Sequence, residues 1–65
     1  MVRAGTLVRI LYPDYAAGFI GRVQAREGLN RWIVQLNENP LKNSSEPLLL
    51  SLEETDFEII KSDEG

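Results

Sequence analysis

Two residue types that carry much of enzyme chemistry are missing from this 65-residue chain, which has neither histidine nor cysteine. Without them there is no imidazole to serve as general base and no thiolate to attack a carbonyl or hold a soft metal. Ser44 and Ser45 stand side by side, but nothing nearby can activate them. Neither Lys42 nor Lys61 falls in a predicted core. The acidic run Glu53, Glu54, Asp56 and Glu58 lacks the Asp/Asn and glycine spacing of a calcium loop and reads as a solvated face. Gly18-Phe-Ile-Gly21 is too short for a phosphate cradle and leads into a strand rather than a helix. The residues therefore predict no catalytic site, no metal site and no cofactor.

What the chain does carry is arginine. Arg3, Arg9, Arg22, Arg26 and Arg31 all lie in residues 1–36, which hold only two acids and sum to +3. Residues 37–65 hold two lysines and eight acids and sum to −6, so a net charge of −3 hides two halves of opposite sign. Guanidinium groups present rigid donor forks that suit carboxylates, and a cluster of them steers an acidic partner with a salt-sensitive on-rate. The five arginines are the candidate partner-binding residues. The competing reading is that they are strand exteriors whose aliphatic stems cover apolar surface.

Positioning them falls to short strands. Gly18–Leu36 reads as strand, turn, strand. Gly21, Val23 and Ala25 share one face of the first run, with Arg22, Gln24 and Arg26 opposite; Trp32, Val34 and Leu36 share one face of the second. Residues 27–30 make the turn, with Gly28 and Asn30 as the residues best able to take positive φ. Gly18 and Gly21 mark a bend or corner. Upstream, Thr6, Val8, Ile10 and Tyr12 alternate as the core-facing set of a strand ended by Pro13, with Arg9 outward and a loop over 13–17. Residues 37–47 (NENPLKNSSEP) form a long polar loop. Leu48–Leu52 is a short apolar strand, residues 53–56 a single 3₁₀ turn, Phe57–Ile60 a closing strand, and 61–65 a frayed charged tail. Five short strands in one domain over residues 1–65, with no helical periodicity, predict an all-β fold, a small five-stranded SH3-like barrel with one 3₁₀ turn before the last strand.

A chain of this size buries only about 60% of its unfolded surface. The absence of disulfides fits a reducing compartment. No apolar run approaches the roughly 18 residues of a membrane span, and no N-terminal targeting segment precedes the first strand. The expectation is a soluble intracellular domain.

The segment GTLVRILYP resembles the opening strand of PsaE, the photosystem I subunit IV family. GFIGRVQ followed by WIVQL resembles both PsaE and NdhS, a ferredoxin-docking subunit family. LSLEETDFEII resembles the closing turn and strand of the same group, its DFE resembling the ferredoxin–thioredoxin reductase variable chain. The resemblance covers most of residues 5–60, leaving out the 37–47 loop. It implies an SH3-like electron-transport accessory protein, cyanobacterial or plastid-derived, with no cofactor of its own. By the same resemblance it docks an acidic partner such as ferredoxin or a photosynthetic complex subunit, in the cytoplasm or at the cytoplasmic or stromal side of the thylakoid membrane.

Two other functions stay open. GFIGRVQ also resembles the KOW-type loop of RNA- and ribosome-associated SH3-like modules, although an isoelectric point near 4.7 disfavours nucleic acid. Tyr12, Tyr15 and Trp32 could line an SH3-type peptide groove, but Trp32 is in phase with Val34 and Leu36, which favours the core.

Overall fold

Alternation along the chain builds five strands: β1 (Leu7–Ile10), β2 (Ile20–Arg26), β3 (Arg31–Leu36), β4 (Leu49–Glu53) and β5 (Phe57–Lys61). They are seen in a computed structural model that describes residues 2–38 and 47–61. All pairings are antiparallel, and the order across the single sheet is β4-β3-β2-β1-β5. The all-β fold, the five strands and the hairpin over residues 18–36 are as the sequence predicts. Among the described residues β4 and β5 are not hydrogen-bonded to each other, so the sheet is open and barrel closure is not seen.

One face of the sheet carries the core. Val8 and Ile10 of β1, Val23 of β2, Val34 and Leu36 of β3, Leu50 and Leu52 of β4 and Phe57 of β5 are all buried there, with Val2 and Ala16 added from outside the strands. Trp32 joins them at 8% exposure, as its phase predicts. Burying each large aliphatic side chain contributes about 1.5–3 kcal/mol. Thr6 is fully buried as well; its Oγ1 accepts the Arg3 backbone N–H at 3.1 Å, so no polar atom is stranded.

Several local expectations are corrected. β1 ends at Ile10, and Tyr12 is not core-facing but 59% exposed. The reason lies in the backbone: the N–H groups of Leu11 and Tyr12 both donate to Asp56 O, at 2.8 and 3.1 Å, so the chain has left the strand ladder before Pro13. The 13–17 loop contains a second 3₁₀ turn, Asp14–Ala16, beside the expected one at Glu54–Asp56. Positive φ falls at Gly5 and Gly18 rather than at Gly28. Gly21 serves close approach instead: a Cβ there would lie 2.8 Å from Val34 Cγ1 and 2.9 Å from Gln35 O. In β5, Phe57 and Ile59 share a face as predicted, facing Ile10 and Val8 across the ladder, but Ile59 stays 44% exposed.

The largest correction is in β2. Val23 pairs with Val34, yet Ala25 pairs with Ile33, so Gln24 is an extra residue in the strand. Such a bulge reverses the alternation beyond it. Ala25 therefore turns outward, and Arg26 comes to lie opposite buried Trp32 on the core side of the sheet. The long loop lies, from 39 to 46, outside the described residues, as do residues 62–65 of the predicted tail. Its ends are tied: Leu36 N–H donates to Leu48 O and Asn37 N–H to Ile20 O, both at 2.9 Å.

Candidate functional site

Three of the five arginines stand on the outward face of the sheet. Residues opposite one another on neighbouring strands share a face, about 5 Å apart per strand. One cross-strand row reads Leu49, Gln35, Arg22, Leu7; another reads Ile20, Arg9, Glu58; a third begins with Arg31 opposite Glu53. Arg22 is thus central, flanked on its row by Gln35 and half-buried Leu7, with Leu49 at the exposed end.

These side chains are engaged to different degrees. Arg9 Nη1 meets Glu58 Oε2 at 2.9 Å, with both side chains about half exposed. Arg31 is the most heavily bonded: Nη1 reaches Glu53 Oε2 at 3.2 Å, Nε reaches Ser51 Oγ at 3.1 Å, and Nη2 reaches Ser51 O at 3.0 Å. Ser51 Oγ in turn donates to Glu27, whose Oε1 lies 3.8 Å from Arg31 Nε. This network ties the β2–β3 turn to β4. Arg22 Nη1 donates to Gly5 O at 2.8 Å and, among the described residues, meets no carboxylate.

Arg26 and Arg3 lie elsewhere. Arg26 Nε donates to Gly28 O at 2.8 Å and Nη2 to Leu29 O at 3.0 Å, and its guanidinium carbon sits 5.7 Å from the Trp32 ring centroid. Arg3 is exposed in the turn that closes through Thr6 N–H to Arg3 O at 3.0 Å. The single basic surface expected from all five arginines is therefore divided: Arg9, Arg22 and Arg31 share the outward face, Arg26 is on the core side, and Arg3 is in the lead-in turn.

Sequence reasoning missed what the acidic run does. Glu53 pairs with Arg31, Glu58 with Arg9, and Glu54 Oε2 accepts the Trp32 Nε1–H at 3.3 Å. Asp56 Oδ2 accepts the Glu53 backbone N–H at 3.2 Å, one half of a capping box around the 3₁₀ turn. The run is a set of individually used acceptors. Period two places Glu53 and Glu58 outward on β4 and β5, but only the strand order sets them beside the arginine-bearing β3 and β1. Among the described residues no three potential ligands gather as a metal site, and no helix is long and apolar enough to cross a membrane. Compared with protein-family models, curated proteins and solved structures, the chain matches none.

Proposed function

We propose that this chain is a non-catalytic docking module that binds an acidic protein through the outward face of its sheet. The observation that carries the reading is the position of Arg22. It stands mid-face between Leu7 and Gln35, with one of its five donors spent on Gly5 O and no carboxylate on it among the described residues. Arg9 and Arg31 lie on the adjacent strands. Arginines set among apolar side chains such as Leu7, Ile20, Ile33 and Leu49 match the make-up of protein interfaces, where arginine is enriched. The resemblance to PsaE and NdhS supports an SH3-like barrel architecture and a ferredoxin or another photosynthetic electron-transport component as the acidic partner, with the chain peripheral to a thylakoid complex. The isoelectric point near 4.7 weighs against the RNA-binding alternative.

Titration of the isotope-labelled chain with a plant-type ferredoxin at low salt tests this. The expected result is shifts at the Arg9, Arg22 and Arg31 amides that fade as salt is raised. An outward face unmoved by ferredoxin but shifted by an RNA oligomer would reverse the assignment.

A further inference from the structure

The core side of the sheet opens at the turn end of the β2–β3 hairpin. It is a cleft of about 320 Å³ lined by Val2, Arg26, Leu29, Trp32, Glu54 and Ile59. Trp32 is its nearly buried indole, while Ile59 at 44% and Leu29 at 85% exposure are its apolar walls. The bulge at Gln24 is what brings Arg26 to this side.

The cation here is held in place before any ligand arrives. The Gly28 and Leu29 carbonyls fix two of its donors and the indole lies beneath it, which leaves three N–H groups without a partner among the described residues. Glu54 is turned to the Trp32 Nε1–H. The cleft thus combines an immobilised guanidinium with uncovered apolar side chains. It also opens beside Ile59 of β5, an edge strand whose second side pairs with no strand among the described residues. An extended segment lying there can add main-chain hydrogen bonds to that edge.

We infer that this cleft is a second binding site, and that it takes an extended segment of a partner protein in which an acidic residue stands next to, or one removed from, a bulky apolar one. The apolar side chain fills the space between Ile59, Val2 and Leu29, and the carboxylate pairs with Arg26. This site does not use the outward face, so it stands or falls independently of the docking reading above.

Trp32 is the only tryptophan, so its emission reports the cleft directly. The probes are ten-residue peptides, free of tryptophan, built on Asp-Gly-Leu and Glu-Gly-Phe cores. Each is paired with an Asn or Gln twin, and with a proline-rich basic peptide for comparison. The expected result is a saturable change in Trp32 emission with the acidic peptides, at least tenfold weaker for their neutral twins. Arg26→Gln should weaken binding about tenfold, Arg26→Lys should restore part of it, and Arg22→Gln should leave it unchanged. Leu29→Glu changes a side chain that is almost wholly exposed, so the fold is spared while the lip turns acidic; it should abolish binding. Equal binding of acidic and neutral peptides would overturn the proposal. So would preference for the proline-rich basic peptide, or wild-type binding by both Arg26→Gln and Leu29→Glu.

Discussion

Arg26 stands over the ring of Trp32, 5.7 Å from its centroid, on the side of the sheet that holds the core. Simple alternation from Arg22 would have put it on the other side. The contact joins β2 to β3 at the turn end of their hairpin, and two carbonyls of the turn, those of Gly28 and Leu29, hold the guanidinium there. It follows that the arginines of this chain differ in what they stabilise. Removing Arg26 loses a cation–π contact of about 0.5–1 kcal/mol together with two hydrogen bonds from a charged donor. Removing Arg9 loses one exposed ion pair, an interaction of roughly 0–1 kcal/mol. Arg26→Gln should therefore lower the urea midpoint more than Arg9→Gln does, and the opposite order would show that the Trp32 contact contributes little.

Gly21 and Gly28 should respond in opposite directions to alanine. At Gly21 the new methyl would meet Val34 Cγ1 at 2.8 Å and the Gln35 carbonyl at 2.9 Å, and a backbone atom cannot swing aside. Overpacking of this kind costs about 1–3 kcal/mol, a large share of the roughly 3–10 kcal/mol that a chain of this length has in total. At Gly28 nothing lies within 4 Å and φ is not positive. Gly28→Ala should leave stability unchanged or raise it by about 0.4–1 kcal/mol through the unfolded chain. Chemical denaturation of both variants checks the contrast.

The hydrogen bond from Trp32 Nε1 to Glu54 ties the 3₁₀ turn to β3. Glu54→Ala should speed exchange of the indole N–H with solvent and cost about 1 kcal/mol. Glu54→Gln keeps an acceptor oxygen and should retain most of the protection. Indole N–H exchange followed by NMR separates the two.

How much of this was legible beforehand depends on where period two holds. Val8, Ile10, Val23, Val34, Leu36, Leu50 and Leu52 follow it without interruption, and each is buried as the alternation requires. Tyr12 and Arg26 do not. Tyr12 is lost because Asp56, 44 positions away in sequence, draws the chain off the ladder through its carbonyl. Arg26 is displaced because one extra residue at Gln24 shifts the register, and nothing in the local residue types marks a bulge there. The same shift turns Ala25 out and so splits the expected basic surface. The ion pairs of Arg9 and Arg31 were hidden for a related reason: they join residues 49 and 22 positions apart, and only strand order decides which acids face which arginines. Glu53 and Glu58 then lower the net charge of the very face that the arginines mark out.

That leaves Arg22 as the outward arginine on which docking of an acidic protein most depends, and charge reversal there is the most direct test. The dissociation constant for a plant-type ferredoxin should be measured at low ionic strength for the native chain and for Arg22→Glu. A carboxylate mid-face should weaken binding at least tenfold, equivalent to about 1.4 kcal/mol, while the chain stays folded and its urea midpoint falls only by the loss of the exposed hydrogen bond to Gly5 O. Equal affinity of the two proteins would contradict the assignment of the outward face as the docking surface.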